Sequence, residues 1–322
     1  MLPLFCLEVW GTDYQKIKNT CLFAEELDYY GFYYGESLTD IDLDCWTILS
    51  ALSSITEKIK LGPVITYLLP QYRNISLIAK QAITLQDISD GRLEFRTGAG
   101  ANLQYANQWW HPYGIDYPEN SKRVSIIEEG VELLKIIFED SLSSSSMISS
   151  TINFNGNYFK INGVNFKKPL QKIPITIAAK KYKMIRIAAN FADIWETSFM
   201  SPDQFLLSKK FFEKCLLSIK NNENIGINKD RNVLKSIELD VLIADTENEL
   251  EYKKKILAME RGPQVYYQII KNGLVGLPDT IAKKVKEYLN AGIDQFFLAF
   301  QDPFDLKSIE LFMNSMRDFG LR

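Results

Sequence analysis

The sequence predicts an α/β fold of the (β/α)8 TIM-barrel class, with an insertion after the fourth βα unit. Strand-length apolar runs alternate with longer segments of helical period along nearly the whole chain. Eight such pairs fit into 322 residues, a length that suits one barrel. No G-x-G-x-x-G follows the first strand, which disfavours the runner-up, a doubly wound dinucleotide-binding sheet.

Leu4 to Val9 reads as the first strand. Tyr14 to Tyr30 is the first helix, with Ile17, Cys21, Ala24 and Leu27 on one face and Gly31 as its C-cap. Phe32 to Gly35 is the second strand, and Asp44 caps a helix from Cys45 to Thr56. Leu61 to Thr66 and Ile75 to Ile88 form the third pair. Leu93 to Thr97 runs into Gly98-Ala99-Gly100, and a helix from Ser121 to Phe138 carries Ile127, Val131, Leu134 and Phe138 on one face. The rhythm breaks over 139–172. Ser141 to Ser150 is serine-rich and reads as a surface loop, and Thr151 to Ile161 alternates as a hairpin around Asn155-Gly156-Asn157. Ile175 to Ala178, Tyr182 to Phe191, Ile194 to Thr197, Asp203 to Ile219 and Ile237 to Ala244 then continue the alternation. An irregular helical stretch, 246–276, ends in Gly273-Leu274-Val275-Gly276. Asp279 starts a helix with Ile281, Val285 and Leu289 on one face, closed by Gly292. Gln295 to Phe300 is the eighth strand, and Asp305 caps the last helix.

A chain of this length buries about 75% of the surface its unfolded form exposes, so one domain over 1–322 needs no staple. The net charge is −3 and the basic residues are scattered, which argues against nucleic-acid or anionic-membrane partners. Cys6, Cys21, Cys45 and Cys215 contain no C-x-x-C pair, so reduced thiols in a cytoplasm are expected. The N-terminal run lacks a basic region and is broken by Glu8, unlike a signal peptide. His111 is the sole histidine, too few for a histidine-based metal site.

Several stretches carry a resemblance. One is Arg73-Asn74-Ile75-Ser76-Leu77-Ile78-Ala79-Lys80, continuing to Ser89-Asp90-Gly91-Arg92-Leu93-Glu94 and Gly98-Ala99-Gly100. Another is Tyr113-Gly114-Ile115-Asp116-Tyr117-Pro118 with Arg123 after it. Phe154-Asn155-Gly156-Asn157-Tyr158-Phe159 leads to Pro169-Leu170-Gln171 and Ile177-Ala178-Ala179, then Ala188-Ala189 to Ala192-Asp193. Val275-Gly276-Leu277-Pro278-Asp279 runs on to Ala291-Gly292-Ile293-Asp294. In this order and spacing the chain resembles the bacterial-luciferase-like monooxygenase superfamily, which includes coenzyme F-420-dependent reductases and dehydrogenases.

The resemblance implies a flavin or deazaflavin ring at the C-terminal mouth of the barrel, and homodimers are common among such proteins. It places a bulge with a non-prolyl cis peptide at Val64-Ile65, before Thr66, as support for the ring; Val-Ile-Thr suits an ordinary buried strand equally. Gly98, Ala99, Gly100 and Ala101 let a ring approach the backbone, or simply make a tight turn. The phosphate site falls at Ala179, Lys180, Lys181 and Tyr182, where many relatives carry Gly-Pro; the lysines also fit a solvated face. Gly273 to Gly276 is a second candidate backbone nest.

The catalytic candidates are Glu36, Ser37 and His111. Relatives carry an acid and then histidine at the first two positions, so Glu36 matches and Ser37 departs. Ala101 replaces the glutamate of sugar-phosphate dehydrogenases, so neither that reaction nor the luciferase reaction carries over. Glu36 equally fits a structural carboxylate, and His111, in Trp109-Trp110-His111-Pro112, a surface loop. Trp195 lies near the ring by family position, or fills the barrel top. The leading expectation is hydride transfer between coenzyme F-420 and a small organic substrate. A second is an FMNH2-dependent monooxygenase with a pocket walled by Trp109, Trp110 and Trp195. A third is a non-catalytic flavin-binding protein or partner subunit.

Overall fold

The computed structural model describes residues 2–139, 151–220 and 232–322. The serine-rich segment Ser141 to Ser150 lies outside them. Within the described residues the chain runs β1 (Leu4–Val9), α1 (Tyr14–Glu26), β2 (Gly31–Gly35), α2 (Cys45–Ser53), β3 (Lys60–Val64), α3 (Ile75–Ile88) and β4 (Phe95–Gly98). A short helix α4 (Ala106–Trp109) and the long α5 (Asn120–Glu139) follow, then the pair β5 (Ile152–Asn155) and β6 (Lys160–Val164). The rest is β7 (Ile175–Ala178), α6 (Tyr182–Phe191), β8 (Ile194–Ser198), α7 (Pro202–Lys220), β9 (Leu234–Ile243), α8 (Glu247–Asn272), β10 (Leu274–Gly276), α9 (Pro278–Ala291), β11 (Gln295–Phe300) and α10 (Leu306–Asp318).

The strands pair in parallel in the order β3, β2, β1, β11, β9, β8, β7, β4. Parallel bridges Leu61 to Leu93 and Thr66 to Thr97 join β3 to the strand region of β4, so the eight strands form a nearly closed barrel. This is the (β/α)8 fold expected. Between those bridges the ladder skips 62–65, and the Val64–Ile65 peptide within the gap is cis. The insertion is an antiparallel β5–β6 hairpin, after the fourth barrel unit.

Local chemistry explains the elements. Asp13, Asp44, Asn74, Thr246 and Asp305 each accept backbone N–H bonds at a helix start. Two caps differ from expectation. Helix α1 ends at Glu26, and Asp28 rather than Gly31 takes the left-handed turn, leaving Gly31 to begin β2. Helix α9 has Leu277 at its N-cap with Pro278 in the first position, so Asp279 supplies charge to the first turn and no cap. The candidate nest at Gly273 to Gly276 is instead the short strand β10, paired to β9 from Val241 to Ile243.

A continuous apolar core fills the space between barrel and helices, and includes Ile17, Leu49, Ile78, Leu134, Ile185, Phe205, Val285 and Phe312. The barrel interior is different: its inward parity carries charge.

Candidate functional site at the barrel mouth

Side chains alternate across a strand, so residues two apart share a face. Inward from the N-terminal end come Cys6, Tyr33, Glu94, Gln295 and Phe297. Glu94 accepts from Tyr30 at 2.7 Å, from Tyr33 and from Gln295 at 3.3 Å, which ties this floor layer together. One step up, Arg96 lies 2.7 Å from Glu8 and 2.7 Å from Glu196, and its guanidinium carbon is 3.8 Å from the Phe297 ring centre. All three ionic side chains are buried. Burial pushes Glu8 up to about 7, with Arg96 pulling the other way.

Above this layer β9 presents Glu238 and Asp240. Burial raises Glu238 above the usual carboxylate range, and the carboxylates of Glu8 and Glu196 add to the rise. Burial pushes Asp240 up to about 6, opposed by Arg261 of α8. Both acids line a cavity of about 830 Å³. Its other walls come from segments after β1, β2, β4, β8 and β11: Trp10, Asp40, Trp109, Phe199 and Phe304 among them. The lid is α8, broken at Gly262 (φ 73°) before Pro263, which sets Arg261, Val265 and Ile269 against the cavity. Barrel loops at this C-terminal face are where chemistry sits in this fold.

None of the expected catalytic or cofactor-binding residues is among those that line this cavity. Glu36 is buried, but both its oxygens are taken, one by Arg73 Nε at 2.7 Å and one by Thr66 Oγ1 at 2.7 Å. Its pKa is raised by burial, with Arg73 opposing. Ser37 donates to Asp42 at 2.7 Å and so braces the loop whose Asp40 and Ile41 reach the cavity. His111 is exposed beside Asn107 at 2.8 Å and does not line the cavity. The two adjacent tryptophans separate: Trp109 stacks on Tyr105 in the cavity wall, while Trp110 is buried against Tyr117, Tyr67 and Tyr72 as a loop anchor.

Val64 and Ile65 are partly exposed at the rim, and Thr66 is buried beneath. A Cβ on Gly98 would stand 3.0 Å from Ala178 Cβ and from Ile65 Cδ1, and Gly100 has φ +78° with the Tyr117 hydroxyl where a Cβ would be. Both glycines therefore have packing reasons of their own. Arg123 grips this turn, donating to the carbonyls of Ala99 and Ala101, both at 2.8 Å. Ala179 is buried; Lys180, Lys181 and Tyr182 are exposed at the start of α6, which has no side-chain cap.

Trp195 is a correction. It is fully buried, stacks on Phe205 and Phe212 of α7, and donates to Ala179 at 2.9 Å. Glu196 takes the inward parity on β8 to meet Arg96, so Trp195 must face the helices and walls no pocket.

Sequence reasoning missed the Glu8, Arg96, Glu196, Glu238 and Asp240 set. The signal was present: charges on strands whose apolar runs mark them as covered on both faces. Alternation along each strand puts these charges on the inward face.

The model of the luciferase-like monooxygenase family matches residues 7–206. A 5,10-methylenetetrahydromethanopterin reductase of Archaeoglobus fulgidus is 28% identical over 165 residues, 51% of this chain and 44% of that protein. A pyrimidine monooxygenase of a Bradyrhizobium species is 26% identical over 185 residues, 53% of this chain and 47% of that protein. The matched part is thus under half the length of either relative. Among solved structures, an F420-dependent secondary alcohol dehydrogenase in complex with an F420-acetone adduct superposes with a TM-score of 0.81. It is 15% identical, with 99% of each chain covered, and so shares the fold.

Proposed function

Because the chain belongs to the luciferase-like monooxygenase family, we propose that it is an oxidoreductase that holds a deazaflavin ring at the barrel mouth and acts on a small organic substrate there. The observation that carries this reading is the aromatic-walled cavity of about 830 Å³ at the C-terminal face. The residues present fit such a group. Trp10, Tyr105 and Trp109 offer flat apolar faces. The uncapped start of α6, with Lys180 and Lys181, leaves backbone N–H groups for an anionic tail. Val64, Ile65 and the Gly98 to Ala101 turn would form the rim beside the ring. Coenzyme F-420, when bound, supplies hydride chemistry.

The chain's own part is positioning and electrostatics. Arg123 stiffens the turn at 99–101 through two carbonyls. Glu36, through Thr66, ties the end of β2 to the rim of β3. Ser37, through Asp42, holds the loop that carries Asp40. Trp109 and Tyr105 keep water from one wall. Asp240, with a pKa near 6, holds a proton at its carboxyl within the cavity at mildly acid pH. The reductase relative supports hydride transfer; the monooxygenase relative supports a second reading, reduced FMN with dioxygen. A cytoplasmic homodimer belongs to the same proposal.

Titration with F-420 and with FMN, each oxidised and reduced, tests this through the fluorescence of Trp10 and Trp109. Saturable quenching by F-420 at about tenfold lower concentration than FMN is expected, with the amplitude cut in Trp109→Phe. Preference for reduced FMN with substrate-dependent oxygen uptake would move the protein to the second reading. Quenching by neither would end both.

A further inference from the structure

We propose that the mouth cavity is built for an organic cation, an amine or quaternary ammonium compound, held between aromatic faces and carboxylates. The inference rests on the preceding reading only in taking this cavity as the substrate site.

The lining has two kinds of wall. Trp10, Tyr105, Trp109 and Phe304 contribute aromatic rings, and Asp40, Glu238 and Asp240 contribute carboxylates. Arg261 is the one cationic side chain in that lining, and no lysine is in it. Rings attract cations over their faces, and carboxylates attract them directly, so both walls favour the same sign of ligand. A substrate carboxylate would meet like charge on β9.

The surroundings do not cancel that charge. Glu8 and Glu196 sit beneath, both already drawn to Arg96. Lys180 on the rim of β7 interacts with Glu238, and Arg261 with Asp240. Lys16 stands 5.9 Å from the centre of the Phe304 ring, so five carboxylates, Glu8, Asp40, Glu196, Glu238 and Asp240, face four cations, Arg96, Lys180, Arg261 and Lys16. Among the described residues none donates a hydrogen bond to the Glu238 carboxylate; burial and nearby charges act on it. Burial pushes Asp240 up to about 6 and raises Glu238, where the charges of Glu8 and Glu196 add to the rise, so protons fill part of this deficit.

A bound cation would fill the deficit instead. It favours the ionised carboxyls, so binding releases protons, and affinity rises as pH climbs through about 6 and then levels off.

The test uses benzyltrimethylammonium, whose charge does not titrate, against benzyl alcohol and benzoate. Binding to the full chain, with and without F-420, is read by calorimetry in two buffers of different ionisation enthalpy, and by tryptophan fluorescence. Expected are selective binding of the cation, proton release near pH 6, and about tenfold tighter binding near pH 7.5 than near pH 5. Glu238→Gln and Asp240→Asn should each weaken it about tenfold and flatten the pH dependence, while still unfolding in one cooperative transition. Benzoate or benzyl alcohol binding as tightly as the cation would overturn the proposal. So would cation binding indifferent to pH and to both substitutions. Cation selectivity without F-420 or FMN binding would uphold this inference while ending the redox reading; cofactor binding without cation selectivity would do the reverse.

Discussion

Asp240 shows what a ligand-facing acid costs the fold. Its folded pKa, about 6, lies above the ordinary aspartate value, so the folded state prefers the protonated form. The stabilising contribution is complete below about pH 4 and is lost as pH rises through 6. Asp240→Asn should therefore raise the melting temperature near pH 8, by roughly 1–3 kcal/mol of stability, and change it little near pH 4. Equal shifts at both pH values would show that Asp240 is not desolvated in the native state. At this scale the sequence was only partly readable. Trp195 and Glu196 are neighbours, and one must face the barrel and the other the helices. Indole burial is possible on either side, so composition alone left the choice open. The partner that decides it, Arg96, is a hundred residues away in the chain.

Elements were easier to read because their signals are local. The strands at Ile175–Ala178 and Gln295–Phe300 and the helix at Tyr182–Phe191 have the bounds that periodicity implies. The hairpin around Asn155-Gly156-Asn157 is also where alternation put it. What holds it down was not readable. Glu129 of α5 accepts three backbone N–H bonds from Asn157, Tyr158 and Phe159 at 2.7–2.8 Å. Removing that carboxylate strands three donors at once. Glu129→Ala should cost about 1–3 kcal/mol and speed amide exchange at 157–159 well before the barrel strands exchange. Unchanged exchange there would mean that packing of Phe159 suffices. Helix α8 is a further case: the period over 246–276 is irregular, and the helix breaks at Gly262 before Pro263.

The whole molecule is a barrel with an ionic centre. Arg96 is fully enclosed and links β1 to β8 across the interior through Glu8 and Glu196. Truncating one member of such a set leaves buried charge without compensation. Arg96→Met should destabilise the fold by about 3–5 kcal/mol in urea unfolding. Replacing Glu8 and Glu196 with glutamine in the same chain should recover part of that loss, since neither partner of Arg96 would be left as a bare carboxylate. If the triple variant is no better than the single one, the network is packing rather than electrostatics. Among the described residues no helix is long and apolar enough to cross a membrane.

The sequence by itself determined the barrel, the order of its units, the place of the insertion and the family, because each rests on periodicity, turn chemistry or motif spacing within short stretches of chain. Only the tertiary structure decided which acids face the cavity, that Trp195 does not, and that Glu36 is held by Arg73 and Thr66. Closing the barrel brings β1, β4, β8 and β9 around one axis, and whether a charged strand residue meets a partner, a ring or open space there depends on strands far apart in the chain.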